Sequence, residues 1–162
     1  MSIAATIVSQ CTVVRTGVGQ YLGTDNTTTV NGMNETNELT ASTSVPVTVD
    51  AAGRITLSSG SATLNLAAIT FDADVGTLDT TGLKIQYAKF RNLSTNANAI
   101  TIAKGASNGY TGFGSAFSVV IQPGGYFEYY GNESTADVAS GVRTLDITGT
   151  GAQVLEVQIV AG

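Results

Sequence analysis

The chain has 162 residues, the length of one ordinary domain, and a chain of that size buries roughly 70% of its unfolded surface without help from a disulfide or a metal. Only 12% of the residues are charged, about half the usual ~25%. The net charge of −5, with seven Lys and Arg, argues against nucleic-acid binding, which needs clustered cations against phosphates.

Residues Ala4 to Arg15 are rich in Thr, Ile and Val, and that β-branched enrichment predicts a strand. Apolar residues fall on both of its faces, so it is expected to be covered on both sides or used between molecules. Cys11 lies in this run and reads as a small buried hydrophobe. The opening residues lack the basic segment and small-residue cleavage site of a signal peptide, which predicts a chain made and kept in the cytoplasm. From Gly17 to Thr43 the text turns to Gly, Asn and Thr. It predicts a long loop with a short strand near Gln20–Leu22, and loops of this length are functional, mobile or arms. Residues 1–43 are therefore expected to form an N-terminal extended arm, and 44–162 the body.

In the body, Val45, Val47 and Val49 alternate with polar residues, the period-two signature of a strand. Pro46 places that strand at a sheet edge, since proline cannot donate to a ladder. A turn is expected at Asp50–Gly53, then a strand over Arg54–Leu57, then one over Ala62–Phe71 in which LNLAAI can open a helical turn. Residues 72–82 read as loop.

The stretch from Leu83 to Gly131 holds nine of the eleven Phe and Tyr. In its first strand Leu83, Ile85 and Tyr87 share one face, and Ala88 and Phe90 the other. That switch predicts a bulge near Tyr87–Ala88. Asn98–Lys104 alternates again, and GASNGYTGFGS over 105–115 is a loop with four glycines. Phe117, Val119 and Ile121 point one way, Pro123-Gly124-Gly125 is a tight turn, and Tyr126, Glu128 and Tyr130 face opposite to Phe127 and Tyr129. Strands at Thr144–Thr148 and Gln153–Val160 close the chain. Nine or ten short strands with Gly and Asn turns predict an all-β fold, an antiparallel β-sandwich of the jelly-roll kind.

Catalytic signatures are missing. With no histidine and one cysteine, Ser-His-Asp and Cys-His nucleophiles are excluded, as are His-ligated or thiolate metal sites. Isolated strand acids such as Glu128 and Asp146 read as solvated rather than as a glycosidase pair. Asp72, Asp74 and Asp79 have part of a calcium-loop spacing but lack its third acid, glycine and later Glu. No cofactor, metal or catalytic residue is assigned, and no apolar run reaches the ~18 residues of a membrane helix. Lys84, Lys89 and Arg91 read as a solvated face, and the Asn-x-Ser/Thr triplets at Asn26, Asn34, Asn92 and Asn132 carry no reading without a secretion signal.

The aromatic residues supply the candidate interaction surface: Tyr126, Phe127, Tyr129 and Tyr130, with Tyr110 and Phe113 from the glycine loop. Tyr is enriched at protein interfaces and can also stack on sugars. The structural alternative is that one pair fills the core while the other caps it.

The succession LNLAAI, GLKIQYAKFRNLSTNANAITIAKG, SNGYTGF, VVIQPGGYFEYYG and LDITGTGAQVLEVQIVAG resembles the small virion structural proteins of tailed bacteriophages over Arg54 to Gly162. Its markers are the turn at Arg91-Asn92-Leu93-Ser94, the Asn108-Gly109-Tyr110 loop, the Pro123-Gly124-Gly125 turn and the glycine-ended last strand. The resemblance implies a non-enzymatic β-sandwich that decorates or cements a capsid. It would lie on the exterior of a virion assembled in the bacterial host cytoplasm. It also implies partners in the major capsid protein lattice and a homo-oligomeric state, a trimer first. The alternative is a receptor- or carbohydrate-binding module of a phage fibre or tail.

Overall fold

The computed structural model describes residues 3–10, 13–18, 25–30, 35–40, 42–71, 76–131 and 135–162. Eight of its strands form two four-stranded antiparallel sheets. They are β5 (Val49–Thr56), β6 (Ser61–Asn65), β7 (Ile85–Asn92), β8 (Ile100–Lys104), β9 (Ser118–Ile121), β10 (Tyr126–Tyr130), β11 (Thr144–Thr148) and β12 (Val154–Ala161). The first sheet has the order β10-β7-β12-β5 and the second β6-β11-β8-β9. The chain is an all-β sandwich, as its alternating pattern predicts. Among the described residues, no helix is long and apolar enough to cross a membrane.

Alternation along each strand builds the core. Ile85, Ala88, Phe90, Leu155, Val157 and Ile159 face inward from the first sheet, and Ile100, Ile102, Ile121, Leu145 and Ile147 from the second. Each fully buried Val, Ile, Leu or Phe side chain is worth roughly 1.5–3 kcal/mol. The core is closed at one end by rings. Phe113 sits 4.6 Å from Tyr129, 5.2 Å from Tyr110, 5.3 Å from Phe117 and 6.4 Å from Phe90, measured between centroids.

The glycine loop of residues 105–115 is what brings Tyr110 there. The Gly105 and Tyr110 amides both donate to the Thr144 carbonyl, and the Arg143 and Thr144 amides to that of Asn108. A Cβ on Gly109 would lie 2.2 Å from the Gly105 oxygen, so the fold of the loop itself demands glycine. Tyr110 is fully buried, its hydroxyl donating to the Ala136 carbonyl at 2.8 Å.

Asn92 ties the two sheets at the far end of β7. Its amide donates to the carbonyls of Ile121 and Asn98 at 2.8 and 3.1 Å. Its carbonyl accepts from the Asn96 amide, and Asn96 in turn donates to the Val154 carbonyl. The strand-end asparagine thus satisfies backbone groups that the crossing between sheets leaves unpaired.

Several expectations are corrected. The turn at Asp50–Gly53 is absent: β5 runs through it, paired with β12 from Val49↔Ala161 to Thr56↔Val154. Ala51 is buried there, and Gly53 is needed because a Cβ would meet the Phe71 carbonyl oxygen at 2.3 Å. Small residues that mimic a turn are present for close packing. The strand expected over Val45–Val49 contributes only Val49: Pro46, the reason for placing it at an edge, lies outside β5, which is an edge strand on its own account. The strand expected over Ala62–Phe71 ends at Asn65, whose side chain caps a 3-10 turn at Leu66–Ala68. In β7 the face switches between Ile85 and Tyr87 rather than at Tyr87–Ala88. The β7–β12 register slips there, so Gln86 is the extra residue.

The run expected as one strand over Ala4–Arg15 contributes to two, and the region expected as a long loop, Gly17–Thr43, also contains strands. β1 (Ala5–Ser9) pairs with β4 (Glu35–Leu39), and β2 (Val13–Val18) with β3 (Asp25–Val30). Asp-Asn-Thr-Thr-Thr-Val and Glu-Thr-Asn-Glu-Leu lack the apolar alternation that marks a strand, yet Thr fits a pleated backbone well. Cys11, Gln20–Leu22, Asp72, Asp74, Asn34 and Asn132 fall outside the described residues.

Replacing Asn92 by Ala removes donors from two carbonyls and an acceptor from Asn96. The expected cost is about 2–3 kcal/mol, read as a lower urea midpoint with an unchanged slope. A variant as stable as the parent would contradict this role.

Candidate interaction face

The aromatic residues singled out from sequence divide by face. Tyr110 is fully buried, and Phe113, Phe127 and Tyr129 pack on the core, the Tyr129 hydroxyl donating to the Gly112 carbonyl at 3.0 Å. Tyr110 therefore offers no contact surface, and the other three expose only part of their side chains. Tyr126 and Tyr130, on the outer side of β10, are 61% and 42% exposed. One pair of β10 therefore fills the core and the other stands outside.

The register aligns the outer face of the first sheet in rows. Arg54, Glu156, Arg91 and Tyr126 form one row across β5, β12, β7 and β10, and Ala52, Gln158, Lys89 and Glu128 form the next. With strands about 4.8 Å apart, a four-residue row spans about 14 Å. Glu156 is shared: Arg54 donates to one carboxylate oxygen at 2.9 Å, and Arg91 reaches the other at 3.4 Å. The Lys89 ammonium stands 3.6 Å from Glu128 and 4.7 Å from the centre of the Tyr126 ring, a cation–π contact. Exposed ion pairs add about 0–1 kcal/mol each, so these rows contribute little to holding the sandwich together.

The third row, Asp50, Val160, Tyr87 and Tyr130, meets the N-terminal segment. Ile7 and Leu39, from β1 and β4, pack with Val47 on Tyr87 and Val160 in a second, smaller core. β1 thereby stands as a wall beside the charged rows. Residues 5–8 of β1 line a hollow of about 240 Å³ with Lys89, Glu128 and Gln158, while a larger open cleft of about 490 Å³, to which β1 contributes no residue, is lined by Arg54, Lys89, Arg91, Glu156 and Gln158. Strand alternation could have placed Lys89 and Arg91 on one face. Arg54 and Glu156 lie 102 positions apart, and only the sheet order joins them. Lys84, grouped with Lys89 and Arg91 in sequence, lies elsewhere and pairs with Asp137.

Among the described residues no group of His, Cys, Asp and Glu is placed to hold a metal ion. Asp79 acts as a turn residue: it accepts from the Thr81 amide at 2.8 Å, and bonding with Thr81 holds its carboxyl below the usual range.

Burial pushes the Tyr87 hydroxyl up to about 12, with the Glu128 carboxylate adding to the effect. Burial likewise pushes Tyr110 up to about 12. An unfolded tyrosine ionises near 10. Above that pH the unfolded chain sheds protons that the folded chain keeps, so this stability is intact below about pH 10 and is lost as pH rises toward 12. Melting temperature is expected to hold up to about pH 9.5 and then fall. A melting temperature unchanged at pH 11.5 would refute the assignment. A second expectation separates the faces of β10: Tyr126→Ala changes stability by less than about 0.5 kcal/mol, while Phe127→Ala costs about 2 kcal/mol or more. Equal effects in denaturant titrations would overturn that division. Comparison with protein-family models, curated proteins and solved structures returns no match.

Proposed function

We propose that this chain is a non-enzymatic virion structural protein, a jelly-roll that decorates a phage capsid from outside and bridges capsid subunits as a homo-oligomer. The strand order supports the jelly-roll. From β5 onward the chain alternates between the sheets, crossing at every connection except the β8–β9 hairpin, as two interlocked Greek keys require.

The observation that carries the assembly reading is the ribbon of β2 and β3. Among the described residues these strands pair only with each other. A lone two-stranded ribbon is marginal in water and needs a third strand or a packing surface. Another subunit, of this chain or of the capsid, would supply one. The low share of charged residues, 12%, suits surfaces that meet protein. Several copies joined in one oligomer would bind a lattice multivalently, so that weak individual contacts add to firm attachment.

The test is co-sedimentation with capsids of the virus that carries the protein. It compares the full chain with a variant in which an Asn-Gly turn replaces residues 11–33. That change spares the β1–β4 root, whose loss would uncover Tyr87 and Val160. The full chain is expected to pellet saturably and the variant to bind at least about tenfold more weakly. A full chain that stays in the supernatant would sink the reading.

A further inference from the structure

We propose that the cleft on the outer face of the first sheet is a binding site for an acidic sugar, a glycan bearing a carboxylate. It goes beyond the capsid reading, because the face involved is separate from the β2–β3 ribbon.

Charge comes first. The protein carries −5 overall with only seven basic residues. Three of them, Arg54, Lys89 and Arg91, line this one cleft against a single lining carboxylate, Glu156, with Glu128 beside Lys89. The lining of the cleft is net cationic on an anionic molecule, which favours an anion there over the rest of the surface.

The donors come next. Arg54 commits its Nε and one Nη to Glu156, and Arg91 one Nη, whereas each guanidinium carries five N–H groups. Their side chains are 66% and 53% exposed. Glu156 thus holds two guanidinium groups in one row, and among the described residues most of their donors have no other bond; such a fork matches a carboxylate. Burial contributes little to the pairs, so their arrangement is better explained by what they meet than by what they stabilise.

The remaining features fit sugar rather than a bare ion. Tyr126 stands exposed at the end of the same row, with the Lys89 ammonium against its ring, and an aromatic face stacks on the apolar side of a pyranose. Gln158 and Glu156 offer a donor and acceptors for ring hydroxyls. The charged rows of β5, β7 and β12 line an open cleft of about 490 Å³, within the size of small-ligand sites. A row about 14 Å long accommodates a short oligosaccharide.

The experiment is calorimetric titration of the full chain with an oligogalacturonate, a sialylated oligosaccharide and a neutral galacto-oligosaccharide of matched length. Saturable binding of at least one acidic sugar is expected, with the neutral one at least tenfold weaker. Affinity should fall as salt rises from about 0.05 to 0.5 M. Arg91→Ala and Arg54→Ala should each weaken it about tenfold, and Tyr126→Ala several-fold, with melting temperatures unchanged. The variant lacking residues 11–33 should bind the sugar as the parent does, which separates this site from the capsid contact. No binding of either acidic sugar at millimolar concentration overturns the proposal, as does equal binding of the neutral sugar. So does loss of capsid co-sedimentation in the arginine variants without any sugar binding, because the cleft is then a protein contact.

Discussion

The structure depends on the contact between two sheets at the end where six aromatic rings meet. Phe90, Phe127 and Tyr129 come from the first sheet, Phe117 from the approach to β9, and Tyr110 and Phe113 from the loop after β8. Edge-to-face pairs of this kind add about 0.5–1.5 kcal/mol beyond the area they bury. They also force the glycine loop to close over β11, because Tyr110 reaches its place only if the backbone at Gly109 touches that at Gly105. A loop rich in glycine is here a rigid cap, and its glycines answer to packing rather than to a phosphate.

Once that end is closed, the first sheet has two faces with different work. Its inner residues are buried and apolar. Its outer residues hold the root of the N-terminal segment in the Tyr87–Val160 row and the charged rows beside it. The slip at Gln86 makes this possible. Without it Ile85 and Tyr87 would share a face, and either the main core would lose an isoleucine or β1 would lose the tyrosine it packs against. One extra residue in β7 therefore connects the core and the ribbon root.

The two proposed activities divide along that line. The ribbon of β2 and β3 is a backbone device, with strands that pair only with each other among the described residues, and it suits a protein surface. The cleft is a side-chain device, built from a row of charge and one ring.

Much of this was legible in the sequence. Period-two alternation at Ile100 and Ile102, at Leu145 and Ile147 and along Leu155–Ile159 specifies strands, because a half-buried pleat has no other way to sort its side chains. The division of β10 into Phe127 and Tyr129 against Tyr126 and Tyr130 follows from the same geometry. The strands of residues 25–39 were not legible, since Thr and Asn carry pleat preference without a hydrophobic signal. The passage of β5 through Asp50–Gly53 was equally hidden, because a full-length partner overrides local turn chemistry. Above all, the cleft was decided only by tertiary structure. Arg54, Glu156, Arg91 and Tyr126 belong to four separate strands, and a row across a sheet exists only when hydrogen bonding fixes which strands are neighbours and in what register.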